Sequence, residues 1–179
     1  MRHLIDFGDL TRAEWESLYQ RCSDIMDHPA DFMDACRGRV MASLFYEPST
    51  RTNFSFQTAM LRVGGTVFGF ADPKSTSTAK GETLKDTIKM VSGYADVVVM
   101  RNPKEGAAKA ASLYSDVPVI NAGDGGHMHP TQTTADLTTI TRLRGKVDGL
   151  SVGLCGDLKN GRTVHSLIKA LAKFEGIKF

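Results

Sequence analysis

Ser49-Thr50-Arg51-Thr52 places three hydroxyls and a guanidinium on four successive residues, between an apolar run and a stretch with helical spacing. A strand-to-helix junction offers free N–H groups and the positive end of the helix dipole, and both attract anions. Hydroxyl and guanidinium donors suit phosphate oxygens in such a place. A plainer role fits the same residues, with Ser49 as the helix N-cap and Arg51 in solvent. The pattern GxxxxGK[ST] is missing, so this is not the usual nucleotide phosphate loop.

The stretch Asn121 to Gln132, NAGDGGHMHPTQ, is richer in chemistry. Its glycines permit tight turns, and Pro130 suits the first turn of a helix. His129 then sits at a helix N-terminus, where the dipole favours a neutral imidazole able to donate a hydrogen bond. His127 and His129 could also suggest a metal pair, but no third ligand of suitable type lies nearby, so no metal site is expected. Arg101 follows the apolar residues 97–100 and is held at a strand mouth, as a functional cation or a solvated strand end. GLCGDLKNGRT (153–163) is glycine-rich without GxGxxG, a weak case for dinucleotide binding. Its Arg162 opens a helix and could bind a carboxylate or simply face water. Lys74 to Gly81 has no apolar periodicity and reads by itself as a surface loop.

The elements that position these residues follow from periodicity. Thr11 with Glu14 forms a capping box, and Trp15, Leu18, Tyr19, Cys22, Ile25 and Met26 give the helix after it one apolar face. His28-Pro29 ends that helix. Strands are expected at 40–46, 66–70, 97–100 and 117–121, with helices near 50–63, 82–94, 105–115 and 131–143. Apolar strands alternating with amphipathic helices indicate parallel βαβ units, because parallel strands need a crossover. The fold class is therefore α/β, an open parallel sheet with helices on both faces. Ligands of such sheets bind beyond the carboxyl ends of the strands, which is where all the residues above lie.

The polar stretch 142–149 reads as a linker, dividing residues 1–145 from 146–179. The second part shows a strand at 150–155, a helix near 162–174 and a further strand opening at 177–179. One strand and one helix cannot make an independent domain, so this is the start of a second α/β domain. Its unfinished sheet should leave Val152, Leu154 and Ile177 exposed.

Composition narrows the function classes. The 179 residues are 41% hydrophobic and 23% charged, ordinary for a globular protein. Lys+Arg 22 against Asp+Glu 20 leaves +2, too little to indicate a nucleic-acid partner. No apolar run reaches the roughly 18 residues of a membrane helix. Asp6 and Asp9 interrupt the place where a signal peptide would be apolar. Cys22, Cys36 and Cys155 are odd in number and show no ligand spacing, so a reduced cytoplasmic protein without structural zinc is expected.

Five motifs, FYEPSTRTNFSF, KGETLKDTI, DVVVMRNPKEGAA, NAGDGGHMHPTQT and GDLKNGRTVHSL, occur in an order that resembles the transcarbamoylase family over essentially the whole chain. The resemblance is strongest to members that use aspartate, and covers the first part of a typical family chain. It implies that residues 1 to about 145 bind carbamoyl phosphate, with Ser49, Thr50, Arg51 and Thr52 as the phosphate motif. Thr52, Arg101 and His129 would polarise the carbamoyl oxygen, and Gln132 would lie near the carbamoyl amide. Ser77 and Lys80 match a loop pair inserted by a neighbouring subunit, which implies a homotrimer with shared sites. Lys80 and Arg162 match contacts of the second substrate, L-aspartate, and Glu47 one that helps hold the domains closed.

An attacking amine creates an oxyanion, so cationic and neutral donors aimed at that oxygen suffice without metal, cofactor or side-chain nucleophile. Two positions depart from the family pattern: Asn102 replaces a common histidine, and the Ser77–Lys80 loop is one residue shorter than in some relatives. Ornithine as acceptor, or a non-catalytic module that binds carbamoyl phosphate, remain as alternatives. The resemblance leaves room for a regulatory subunit.

Overall fold

The computed structural model describes residues 1–179. Four strands, β1 (Val40–Phe45), β2 (Thr66–Phe70), β3 (Val97–Asn102) and β4 (Val119–Asp124), form one sheet in the order β2-β1-β3-β4. Every pairing is parallel. The helices are α1 (Arg12–Asp27), α2 (Thr50–Arg62), α3 (Leu84–Ser92), α4 (Ala107–Tyr114), α5 (Pro130–Arg144) and α6 (Arg162–Leu171). The α/β class and helix-covered parallel sheet agree with the pattern read from sequence. The capping box at Thr11 and Glu14 forms as read. No helix is long and apolar enough to cross a membrane.

Strand alternation sends side chains to two separate cores. Ala42, Leu44, Val98, Met100 and Val119 pack with Ile88 and Val91 of α3 and the alanines of α4. Met41, Phe45, Val99 and Ala122 face the other way, onto Met60 of α2. Central β1 and β3 are covered on both sides, which is why they read as continuous apolar runs.

Strand ends differ from the sequence reading for local reasons. Pro118 has no N–H to donate, and β4 starts after it at Val119. β3 and β4 then run on to the pair Asn102↔Asp124, past a register shift at 100–102. The 74–81 loop holds two 3₁₀ turns, Pro73–Ser75 and Ser77–Lys80, each opened by an Asp72 or Thr76 side-chain cap.

The strand expected at 150–155 does not form. Ser151 makes a single parallel bridge to Lys178, and without a partner along its length no ladder can extend. Val152 and Ile177 are half-buried rather than exposed, packed on a third core of Phe7, Leu10, Trp15, Leu137, Val147 and Leu171. Leu154 is also half-buried. Arg12 to Asp148 (2.7 Å) and Lys173 to the Gly8 carbonyl (2.5 Å) tie this part to the N-terminal segment.

Candidate active site

The chain order changes direction at β1. The β1–α2–β2 connection leads to one side of β1, and α3 crosses back to place β3 on the other. Above the carboxyl ends of β1 and β3 the connections diverge and leave a crevice, the usual ligand position in such sheets. Phe45 pairs with Arg101, and Tyr46 N–H donates to the Arg101 carbonyl (2.9 Å), so the loop into α2 begins level with Arg101.

A cleft of about 880 Å³ occupies this crevice, lined by Ser49, Thr50, Arg51, Thr52, Arg101, His129, Gln132 and Arg162, with Thr131 and Thr163 beside them. Three helices, α2, α5 and α6, begin at its wall. Their dipoles and free N–H groups add to three guanidinium groups and make it suited to an anion. In α2, Asn53 is the first residue whose N–H finds a carbonyl, that of Ser49 (3.1 Å). The Ser49 side chain caps nothing, which sets aside its reading as a side-chain N-cap. Asn53 anchors the turn from below, its Oδ1 accepting from Ser43 Oγ on β1 (2.9 Å) and from Gln57 Nε2 (2.7 Å).

Arg101 and Arg162 are tethered rather than solvated. Glu47 Oε1 accepts from Arg101 Nε (2.6 Å) and lies 3.6 Å from Arg162 Nη1, which also donates to the Gly125 carbonyl (2.5 Å). Burial, followed by the nearby Arg162, holds the Arg101 guanidinium below its usual range, with Glu47 opposing. Gly123, at φ +117°, lets both arginines lie against its backbone; a Cβ there would stand 3.3 Å from Arg162 Cζ and 3.4 Å from Arg101 Nη1.

His129 is buried at the N-terminus of α5, before Pro130. Burial first, then Arg162 and Arg101, push its imidazole down to about 4. It is therefore neutral at pH 7, as read from sequence, although desolvation is the main cause. The site thus offers fixed cations and a neutral donor at the mouth of two strands, an arrangement suited to an oxyanion beside a phosphate.

Residues 2–142 match the family model described as aspartate/ornithine carbamoyltransferase, carbamoyl-P binding domain. The chain belongs to this family. It is similar to the aspartate carbamoyltransferase catalytic subunits of Clostridium perfringens, at 56% identity over 178 residues, and Clostridium acetobutylicum, at 57% over 177. Each alignment covers 99% of this chain and 58% of the relative. The fold superposes on Trypanosoma cruzi aspartate transcarbamoylase in complex with carbamoyl phosphate and aspartate, with TM-score 0.92, 40% identity, and coverage of 99% of this chain and 59% of that one. The catalytic subunit of M. jannaschii aspartate transcarbamoylase superposes with TM-score 0.91 at 50% identity, over 99% of this chain and 58% of that one. The chain therefore spans somewhat over half the length of these carbamoyltransferases.

Two of the substrate contacts marked by the carbamoyltransferase resemblance are not in the cleft. Ser77 and Lys80 line a separate hollow of about 720 Å³ with Phe68, Phe70, Met90 and Tyr94. Asn102, the departure from the family pattern, is buried and accepts the Lys104 N–H (2.9 Å); it lines neither the cleft nor the 720 Å³ hollow. His127 lies with Nδ1 3.4 Å from Asp124 Oδ2 and lines a different pocket from His129.

Two buried residues were not singled out from sequence. Ser166 Oγ accepts the His129 N–H (3.0 Å) and donates to Met128 Sδ (3.3 Å). Asp124 joins the 124–128 turn to α4. Polar residues inside GDG and VHSL carry no distinguishing spacing, and only the tertiary structure reveals their partners.

Proposed function

We propose that the chain forms the carbamoyl-phosphate half of an aspartate carbamoyltransferase, which moves the carbamoyl group of carbamoyl phosphate to the L-aspartate amine. The products are N-carbamoyl-L-aspartate and phosphate, a step of de novo pyrimidine (UMP) biosynthesis. The carrying observation is the convergence of Ser49–Thr52, Arg101, a neutral His129 and Gln132 on one cleft. Ser49, Thr50, Arg51 and Thr52 hold the phosphate with the start of α2. Thr52, Arg101 and His129 face the carbamoyl oxygen and stabilise the charge that develops as the amine attacks. The new C–N bond forms, the C–O bond to phosphate breaks, and the proton given up by the amine leaves with the phosphate. Gln132 lies at the carbamoyl amide, and Arg162 takes an aspartate carboxylate. Glu47 aligns the two arginines, and no metal or cofactor enters the reaction.

Within this reading residues 1–145 are the carbamoyl-phosphate domain and 146–179 begin the aspartate domain. The left-handed Gly145 cap that stops α5 supports a boundary there. Three unpaired cysteines support a cytoplasmic location. A regulatory subunit is compatible with it. The deciding assay supplies carbamoyl phosphate with aspartate, with ornithine, or with no acceptor to the protein at full family length. Phosphate release dependent on aspartate supports the proposal; release dependent on ornithine, or none with either acceptor, contradicts it.

The separation of Ser77 and Lys80 from the cleft supports a homotrimer in which a neighbouring copy delivers them. Edge strand β2 exposes Phe68, and α3 with its C-terminal turn exposes Met90 and Tyr94 beside that loop. Mixing inactive Lys80→Ala and Arg51→Ala subunits should therefore restore part of the activity, because some junctions combine an intact loop with an intact cleft. Verified mixed trimers with no recovery would contradict shared sites.

A further inference from the structure

Asp124 is 1% exposed, and the proposed reaction gives it no part. Its carboxylate has four acceptor positions, and three N–H donors and the His127 ring surround it. Oδ1 accepts from Asn121 Nδ2 (3.0 Å) and the Met128 N–H (3.1 Å). Oδ2 accepts from the Gly106 N–H at the start of α4 (2.9 Å) and lies 3.4 Å from His127 Nδ1. The Asp124 N–H closes the turn by donating to the Met128 carbonyl (3.3 Å). One side chain therefore links the end of β4, the start of α4 and the residue immediately before His129.

The glycines inside this turn have little rigidity of their own. The Gly125 carbonyl nevertheless has to meet Arg162, and His129 has to meet the cleft. We infer that Asp124 is a positioning residue for His129: its carboxylate fixes the 124–128 turn and so aims the imidazole into the cleft. The inference rests on the role proposed for His129. It also separates Asp124 from the phosphate motif, which is built on β1 and α2 and touches none of these atoms. Asp124→Asn replaces one acceptor oxygen with an NH2 group facing N–H donors, so the turn cannot keep its shape.

The test follows the His129 imidazole by NMR pH titration in residues 1–179, with inorganic phosphate affinity measured alongside. The charged groups acting on His129 are Arg162 and Arg101, which lower its midpoint, and Asp124, which raises it. Removing only the Asp124 charge would lower the midpoint. Releasing His129 from burial and from the two arginines raises it toward the ordinary 6.5. A rise of about one unit or more, with phosphate affinity kept within about threefold, is expected for Asp124→Asn. A midpoint that stays or falls overturns the inference, whatever happens to melting temperature. If Asp124→Asn does not fold, Asp124→Ser is read by the same two outcomes. Neither readout requires turnover, so failure of the carbamoyl-transfer reading leaves this result separately decidable.

Discussion

Arg51→Ala, in the protein at full family length, loses carbamoyl-phosphate binding and turnover together. Arg51 stands in the first turn of α2, lines the cleft and makes no side-chain hydrogen bond or ion pair within the chain. Each charge-assisted bond to phosphate contributes about 1.5–3 kcal/mol, or roughly 10- to 150-fold in affinity. A guanidinium can form two such bonds to one phosphate, so a loss beyond about 100-fold is expected. Because Arg51 is exposed, its removal costs the fold little, and the melting temperature should move only slightly. Calorimetry showing unchanged affinity would remove Arg51 from the phosphate site.

His129→Ala acts on a different quantity. A neutral donor aimed at a developing oxyanion works mainly in the transition state, so kcat should fall about 100- to 1,000-fold while carbamoyl-phosphate affinity changes far less. An unaltered kcat would leave His129 only its place at the start of α5. The pH dependence follows from the direction of its shift. With the folded imidazole near 4 and its ordinary value 6.5, His129 stays neutral through the physiological range. It should therefore contribute no titration to kcat near pH 7. Between those values the unfolded chain binds the extra proton, so stability falls as pH drops from 6.5 toward 4. His129→Ala should flatten that part of the stability profile.

Periodicity made most elements legible because β1 and β3 are buried on both faces and α1 carries a complete capping box. It carried no information on strand order. The order β2-β1-β3-β4 brings Arg101 beside the Ser49–Thr52 loop, although about fifty residues of chain intervene. Residues 150–155 looked like a strand because Val152 and Leu154 alternate with small residues, but a strand exists only where a partner accepts its hydrogen bonds. Cleft residues were recognisable from unusual residue types at element ends. Glu47 and Ser166 act on partners far away in sequence, while the Asp124 partners, near in sequence except Gly106, are brought together only by the folded turn. Ser77 and Lys80 are the reverse case, since the resemblance marks them while a single chain keeps them outside the cleft.

The central claim is that the crevice above β1 and β3 is a carbamoyl-phosphate site. Its most direct test is an amide NMR titration of residues 1–179 with freshly prepared carbamoyl phosphate. The account predicts saturable shifts concentrated at residues 49–53, 101, 129, 131–132 and 162–163, absent in Arg51→Ala. Saturation that leaves those amides unmoved, or shifts confined to the Ser77–Lys80 hollow, would contradict it.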